Sequence, residues 1–283
     1  MASGKKLSDR LRLIADYAIP EQSVATSIYE PILIDVGTDH GLLPRKLLDE
    51  GKLSRAILTD VVDGPLSMAK NNLDADLYGD RIELRLGDGL QPLNHAEGDV
   101  VVIAGMGGEL ITHILETDIV KTKSFPRYIL QPRNASDILR RFLYDNDFFI
   151  IDEGLVLERG KICEVIHCAV REYTTITDVR VTDTAINANN YCDDCGNIDV
   201  GEERMVLTGR RYKHDDTCLT DFQITNIHMA QRPQLLKTFI KSKISSLSKA
   251  RDNILSHARG NQAERLEIMD CEIEEFKRRI ACL

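Results

Sequence analysis

Three acids close three short apolar runs near the start of the chain. Asp35 follows Ile32-Leu33-Ile34, Asp60 follows Ala56-Ile57-Leu58-Thr59, and Asp88 stands between Gly87 and Gly89 just after Leu84-Arg85-Leu86. An ionised carboxylate only accepts hydrogen bonds, so it selects ligand groups that donate them. Asp35 opens the loop Asp35-Val36-Gly37-Thr38-Asp39-His40-Gly41. A strand-end acid there suits the ammonium of an amino-acid group, and Gly37 lets the backbone approach closely. Asp60 suits two ribose hydroxyls, and Asp88 suits an adenine amino group. Each acid alone also fits a helix cap or turn; three in succession point to a nucleoside with an amino-acid end. A dinucleotide would require G-x-G-x-x-G after the first strand. Here Asp39 takes the central position, where its charge would repel a pyrophosphate. The expected cofactor is therefore free of phosphate: S-adenosylmethionine.

Two further loops face the same side. Gly105-Met106-Gly107-Gly108 follows the apolar run Val100 to Ala104. Small residues there leave room for a flat base, although a strand–helix turn with positive φ needs the same glycines. Gln131-Pro132-Arg133-Asn134 follows Tyr128-Ile129-Leu130. The Gln131 amide can bond a base edge, and Arg133 can hold a phosphate or stand as a solvated loop charge.

The elements that position these loops alternate. Strands are expected over 32–36, 55–60, 82–86, 100–104 and 128–131, with helices over 7–19, 42–50, 66–77, 110–116 and 138–146. Pro65 is expected to open the third of these helices. A hairpin of strands, 148–157 and 162–170, turns at Glu158-Arg159-Gly160-Lys161. Alternation of this kind gives a doubly wound, mostly parallel α/β sheet of Rossmann-like form, whose ligands lie beyond the carboxyl ends of the strands. Residues 1–171 form that domain. Residues 172–231 read as an irregular insertion or linker. Residues 232–283 read as an antiparallel helical hairpin: Leu236, Ile240, Ile244, Leu247 and Ile254 form one stripe, and Leu266, Met269, Ile273, Phe276 and Ile280 form a coiled-coil stripe after the break at Gly260-Asn261.

Composition narrows the setting. The formal net charge is −9, yet residues 232–283 carry 11 Lys and Arg against 7 Asp and Glu. A basic tail on an acidic body is compatible with a polyanionic partner. Lys237, Lys241, Lys243, Lys249 and Arg251 recur at a spacing that can align a basic ridge. No apolar run approaches the roughly 20 residues of a membrane span, and no secretion signal is read at the start, so a cytoplasmic location is expected. Among the seven cysteines, Cys192 and Cys195 form a lone CxxC; a zinc ribbon needs a second pair, so free thiols and no metal are expected.

Taken together, these motifs resemble the bacterial tRNA adenine-22 N1-methyltransferases. Leu7-Ser8-Asp9-Arg10-Leu11 is similar to the opening helix of that family. Asp35 to His40 with Leu43-Pro44 resembles its D-I-G-S-D-H-A-Y-L-P signature, and Arg85 to Leu90, Ile103 to Gly108 and Leu130-Gln131-Pro132 resemble its later motifs. The resemblance implies a class I methyltransferase domain. It implies cofactor contacts from Arg10, Asp35, Gly37, Asp39, His40, Asp60, Val61, Asp88, Gly89, Ala104, Gly105 and Met106. It implies acceptor contacts from Gly107, Gln131, Pro132 and Arg133. Gly41-Leu42 replace the usual Ala-Tyr, removing an aromatic, and Arg133 interrupts L-Q-P-N.

The activity so implied is methyl transfer to N1 of an adenine in tRNA. Asp39 is the candidate carboxylate for stabilising the cationic product, with His40 beside it. A methyltransferase for small molecules or proteins, and a binder of cofactor and RNA without turnover, are the competing readings. The protein is expected to act as a monomer, with dimerisation through the hairpin as the alternative.

Overall fold

The computed structural model describes residues 7–19, 30–38, 40–73, 75–170, 233–257, 262–281 and 283. The chain divides into two compact units, Met1–Asp178 and Val179–Leu283. Asp39, the 172–231 segment with Cys192 and Cys195, and the Gly260-Asn261 break lie outside the described residues.

The first unit is built on one seven-stranded sheet in the order β3-β2-β1-β4-β5-β7-β6. Its strands are β1 (Ile32–Val36), β2 (Arg55–Asp60), β3 (Ile82–Leu86), β4 (Val100–Met106), β5 (Arg127–Pro132), β6 (Phe148–Glu158) and β7 (Lys161–Val170). The first five run parallel. The β6–β7 hairpin closes the sheet, with β7 antiparallel to β5. Strand order reverses between β1 and β4, which opens a crevice at their carboxyl ends.

Alternate residues of the central strands feed two separate cores, the pattern of a sheet covered on both faces. Leu33, Leu58, Val102 and Ile129 pack with Ile14, Leu43, Leu47 and Ala69 on one face. These come from α1 (Asp9–Ala18), α2 (Leu42–Asp49) and α3 (Asp63–Asn72). Ile34, Ile57, Val101 and Leu130 pack with Ile111, Leu115, Leu139 and Leu143 on the other. Those come from α5 (Gly108–Glu116) and α7 (Ser136–Asp145); α4 (Ala75–Tyr78) and α6 (Ile119–Lys123) are short. α1 reaches the closing hairpin through Gly154, where a Cβ would stand 2.8 Å from both Leu13 and the Tyr17 hydroxyl.

Most boundaries differ from the sequence reading by a residue or two, α7 starting at Ser136 rather than Ile138, and three of the differences are informative. The helix expected over 66–77 starts at Asp63 and ends at Asn72, with Leu73 extended at its cap. Pro65 is then the third helical residue, still within the first turn, where no backbone donor is needed. α5 starts at Gly108 rather than Leu110. β4 runs on to Met106 because a register shift between Ala104 and Met106 absorbs Gly105 as an irregularity against β5.

The second unit's described part is a pair of helices, α8 (Pro233–His257) and α9 (Ala263–Ala281). Arg251, near the end of α8, bonds Asp270, near the start of α9, at 2.5 Å, so the two fold back on each other as expected. Met269, Ile273 and Phe276 are buried, as are Leu236, Phe239 and Ile240.

Candidate active site

The crevice carries the expected carboxylates on adjacent strands. Asp35 sits in β1 and Asp60 ends β2, the strand it pairs with. Asp35 is partly buried and accepts a hydrogen bond from the Thr38 hydroxyl at 2.7 Å. Burial pushes its carboxyl up to about 6; the Thr38 bond opposes that, and the neighbouring charge of Asp60 adds to it. Asp60 accepts the Val62 N–H at 2.9 Å, which aims the turn after β2. Asp88 is exposed beyond β3. Val61 and Leu86 beside them are 64% and 60% exposed, leaving an apolar edge at the ends of β2 and β3.

Glycine is required twice where β1 meets β4. Gly37 has φ +72°, and a Cβ there would stand 2.0 Å from the Met106 Cε. Gly105 has φ +78°. Met106 therefore lies across the Gly37 turn, with Ala104 and Gly105 partly buried behind it. Gly89 has φ +52° and packs against Ile114. His40 contributes its carbonyl to the Asn72 amide at 3.0 Å.

A second group of residues forms the other wall. The buried Gln131 side chain takes two donors on one oxygen: Arg10 Nη1 at 2.9 Å and the Gly105 N–H at 3.1 Å. Its Nε2 donates to the Pro132 carbonyl at 2.9 Å. Arg10 is held in turn by Glu158, which accepts its backbone N–H at 3.2 Å and its Nε at 3.4 Å. After Pro132, the Arg133 N–H donates to the Met106 carbonyl at 2.7 Å and Asn134 accepts the Gly108 N–H at 3.0 Å. The β5–α7 loop is thus stitched to the β4–α5 loop. The Arg133 guanidinium is exposed, 3.6 Å from where a Gly105 Cβ would be.

Sequence reasoning missed what supports this wall. Arg140 is buried between Glu153 and Glu164, with Nε 2.6 Å from one and Nη2 2.7 Å from the other. Burial works against its charge, but the two carboxylates outweigh it and hold the guanidinium above its ordinary range. The Ser136 hydroxyl donates to Glu164 at 2.7 Å. The available signal was a pair of acids, Glu153 and Glu164, inside otherwise apolar strands, since buried charges need partners.

Among the described residues no cluster of His, Cys, Asp and Glu has the form of a metal site. Cys163, Cys168 and Cys271 are free thiols. No described helix is long and apolar enough to cross a membrane.

Residues 33–190 match the family model for TrmK, the tRNA (adenine(22)-N(1))-methyltransferases. The chain belongs to this family. A Bacillus subtilis tRNA (adenine(22)-N(1))-methyltransferase is 38% identical over 161 residues, 57% of this chain and 64% of the relative. A Mycoplasma pneumoniae relative is 35% identical over 136 residues, 47% of this chain and 60% of its own length. The chain thus spans 60–64% of the length of these curated relatives. The B. subtilis TrmK crystal structure superposes with a TM-score of 0.66 at 25% identity, covering 97% of this chain and 99% of the other. Streptococcus pneumoniae Sp1610 in complex with S-adenosyl-L-methionine gives 0.67 at 25% identity, covering 97% and 100%.

Proposed function

We propose that the protein transfers a methyl group from S-adenosylmethionine to N1 of an adenine in tRNA, acting as a monomer in the cytoplasm. The observation that carries this reading is the file of carboxylates at the ends of β1, β2 and β3 within a chain of the TrmK family. The S. pneumoniae neighbour bound to S-adenosyl-L-methionine supports the choice of cofactor. So does the raised Asp35 carboxyl, which gains a counter-charge when an ammonium approaches.

In this reading Asp35 faces the ammonium with the Gly37 turn. Asp60 accepts from the ribose hydroxyls, Asp88 accepts from the adenine amine, and Val61 and Gly89 flank the base. Arg10, through Gln131, fixes Gly105, while Ala104 and Met106 floor the crevice between β1 and β4. When bound, the cofactor supplies an electrophilic sulfonium methyl and leaves as a neutral thioether.

Adenine N1 carries a free lone pair at neutral pH, so no residue need remove a proton before attack. What the protein supplies is alignment and extraction of the base from its stack. Gly107, Gln131, Pro132 and Arg133 form the acceptor wall, with Arg133 placed for a backbone phosphate. The charge that develops on the ring is stabilised by a carboxylate; Asp39, with His40 beside it, is assigned that part. The 1–171 domain carries the chemistry, and the basic 232–283 hairpin binds tRNA.

The test is incorporation of labelled methyl from the cofactor into unmodified tRNA, followed by mass spectrometry of the digested product. Label in 1-methyladenosine at one position is the expected result. Label only in small molecules or protein, or cofactor binding without product, overturns the reading.

A further inference from the structure

The loop that forms the acceptor wall is strained and tightly enclosed. Ala135 has φ +48° and ψ 40° at the N-cap of α7, a left-handed conformation that a residue with a Cβ adopts only where its surroundings impose it. Above it lies Gly108, where a Cβ would stand 2.1 Å from the Ala135 carbonyl oxygen. Below it, Ser136 does not cap its own helix: α7 has no side-chain cap, and the hydroxyl points instead to Glu164. Glu164 lies on β7 and shares Arg140 with Glu153 of β6. All four side chains are buried, in a place where a purely apolar cluster would join helix to sheet as well or better.

We propose that the buried Ser136–Glu164–Arg140–Glu153 cluster sets the geometry of the 133–135 loop. Ser136 and Glu164 are then positioning residues for methyl transfer, although neither touches cofactor or base. The chain of contact is short. Glu164 holds Ser136, Ser136 fixes the end of the loop, and the loop's Arg133 and Asn134 backbones clasp Met106 and Gly108 on the neighbouring strand end. An apolar contact would hold α7 against the sheet but leave it free to slide. Hydrogen bonds that one carboxylate accepts from both a hydroxyl and a guanidinium define its register. Displacements of about 1 Å at a reacting centre cost on the order of a hundredfold in rate, so small slack here is expected to appear in turnover.

This inference rests on the proposed methyl transfer, and its test separates the two. Ser136→Ala removes only the hydroxyl link. Glu164→Gln keeps an acceptor for Arg140 and can donate its amide N–H to the Ser136 oxygen, so both links survive with Arg140 still paired with Glu153, while Glu164→Ala removes the support. In the full-length protein, kcat for tRNA methylation is expected to fall about tenfold in Ser136→Ala and about a hundredfold in Glu164→Ala. Glu164→Gln should stay near wild type, and cofactor Kd should stay within twofold throughout. Amide hydrogen exchange at Arg133 and Gly108 should quicken in the same order. Lower melting temperatures with unchanged kcat and unchanged exchange at those amides would overturn the inference, as would cofactor affinity falling in step with kcat. A wild-type protein that methylates no tRNA defeats the proposed function instead, and the exchange measurement still decides whether the cluster governs the loop.

Discussion

Arg10 and Gln131, 121 positions apart in the chain, meet at 2.9 Å across the mouth of the sheet. Both the guanidinium and the Gly105 N–H can only donate, so the atom they share must be the amide oxygen. The residue read as a base-edge contact thus spends its acceptor on the protein. What it still offers a ligand is the second N–H of its amide and the geometry it imposes on Gly105.

Gln131→Leu should therefore destabilise the protein by about 1–3 kcal/mol, because two partly buried donors lose their acceptor. A lower urea midpoint with an unchanged slope is the expected signature. A midpoint equal to wild type would mean that water replaces the amide at no cost.

Asp35→Asn should separate stability from binding. The native carboxyl is raised to about 6 from 3.8, so the folded state binds more protons than the unfolded state between these values. Stability then falls as pH rises through that window and stays reduced above it. The Asn variant escapes this loss and should be more stable above pH 6 by about 1–3 kcal/mol, with the gain vanishing below pH 4. Its cofactor affinity should fall at the same time. Thermal melts and calorimetry across pH 4–8 check both; a gain that does not vary with pH contradicts the assignment.

Asp60→Ala and Asp88→Ala should each weaken cofactor binding by about 1–3 kcal/mol without unfolding the chain. Asp60→Ala also removes the acceptor of the Val62 N–H, so its effect should be the larger. Isothermal titration against a well-folded variant is the measurement. Equal affinities in wild type and both variants would place the cofactor elsewhere.

The basic face of the hairpin is narrower than its sequence suggests. Arg251 is bound to Asp270, and Lys243 lies 5.1 Å from the Phe239 ring of its own helix. Lys237, Lys241 and Lys249 make no ion pair among the described residues. Replacing these three with Ala should weaken tRNA binding and flatten its salt dependence, by about 0.7–0.9 in logarithmic slope for each phosphate that is no longer neutralised. Lys243→Ala should leave the slope nearly intact. A filter-binding series from 50 to 300 mM salt distinguishes the two sets, and equal slopes for both would remove the hairpin from the RNA interface.

Gly108→Ala tests the tight passage between the two acceptor loops. With backbone 2.1 Å from the new Cβ, one loop must move, at a cost of about 1–3 kcal/mol. Turnover should suffer more than cofactor affinity.

Much of this molecule was legible from side-chain period alone. The apolar runs at Ile32–Ile34 and Val100–Ala104 and the alternation over Ile82–Leu86 read as strands, and the loops that follow them fall at the sheet's open edge by topology. Helix limits were less legible: the 66–77 reading ran through Leu73, whose apolar side chain keeps the period while its backbone turns extended. The least legible feature was the Arg140 cluster. Its members come from α7, β6 and β7, and each looks like a surface charge until the hairpin brings the three together. The role of Gln131 was hidden for the same reason, because its partner Arg10 lies at the other end of the domain.

The reversal of strand order between β1 and β4 also divides responsibilities. The β1–β3 edge, with its carboxylates, turns on Gly37 and Gly89. The β4–β5 edge is braced from outside, by α1 through Arg10 and by α7 through Glu164. The two edges touch where Met106 lies across the Gly37 turn, so heritable change in a brace can reach the carboxylate edge through that contact. A brace is thus a place where inherited substitutions can tune the acceptor loops while the strand-end acids themselves stay unchanged.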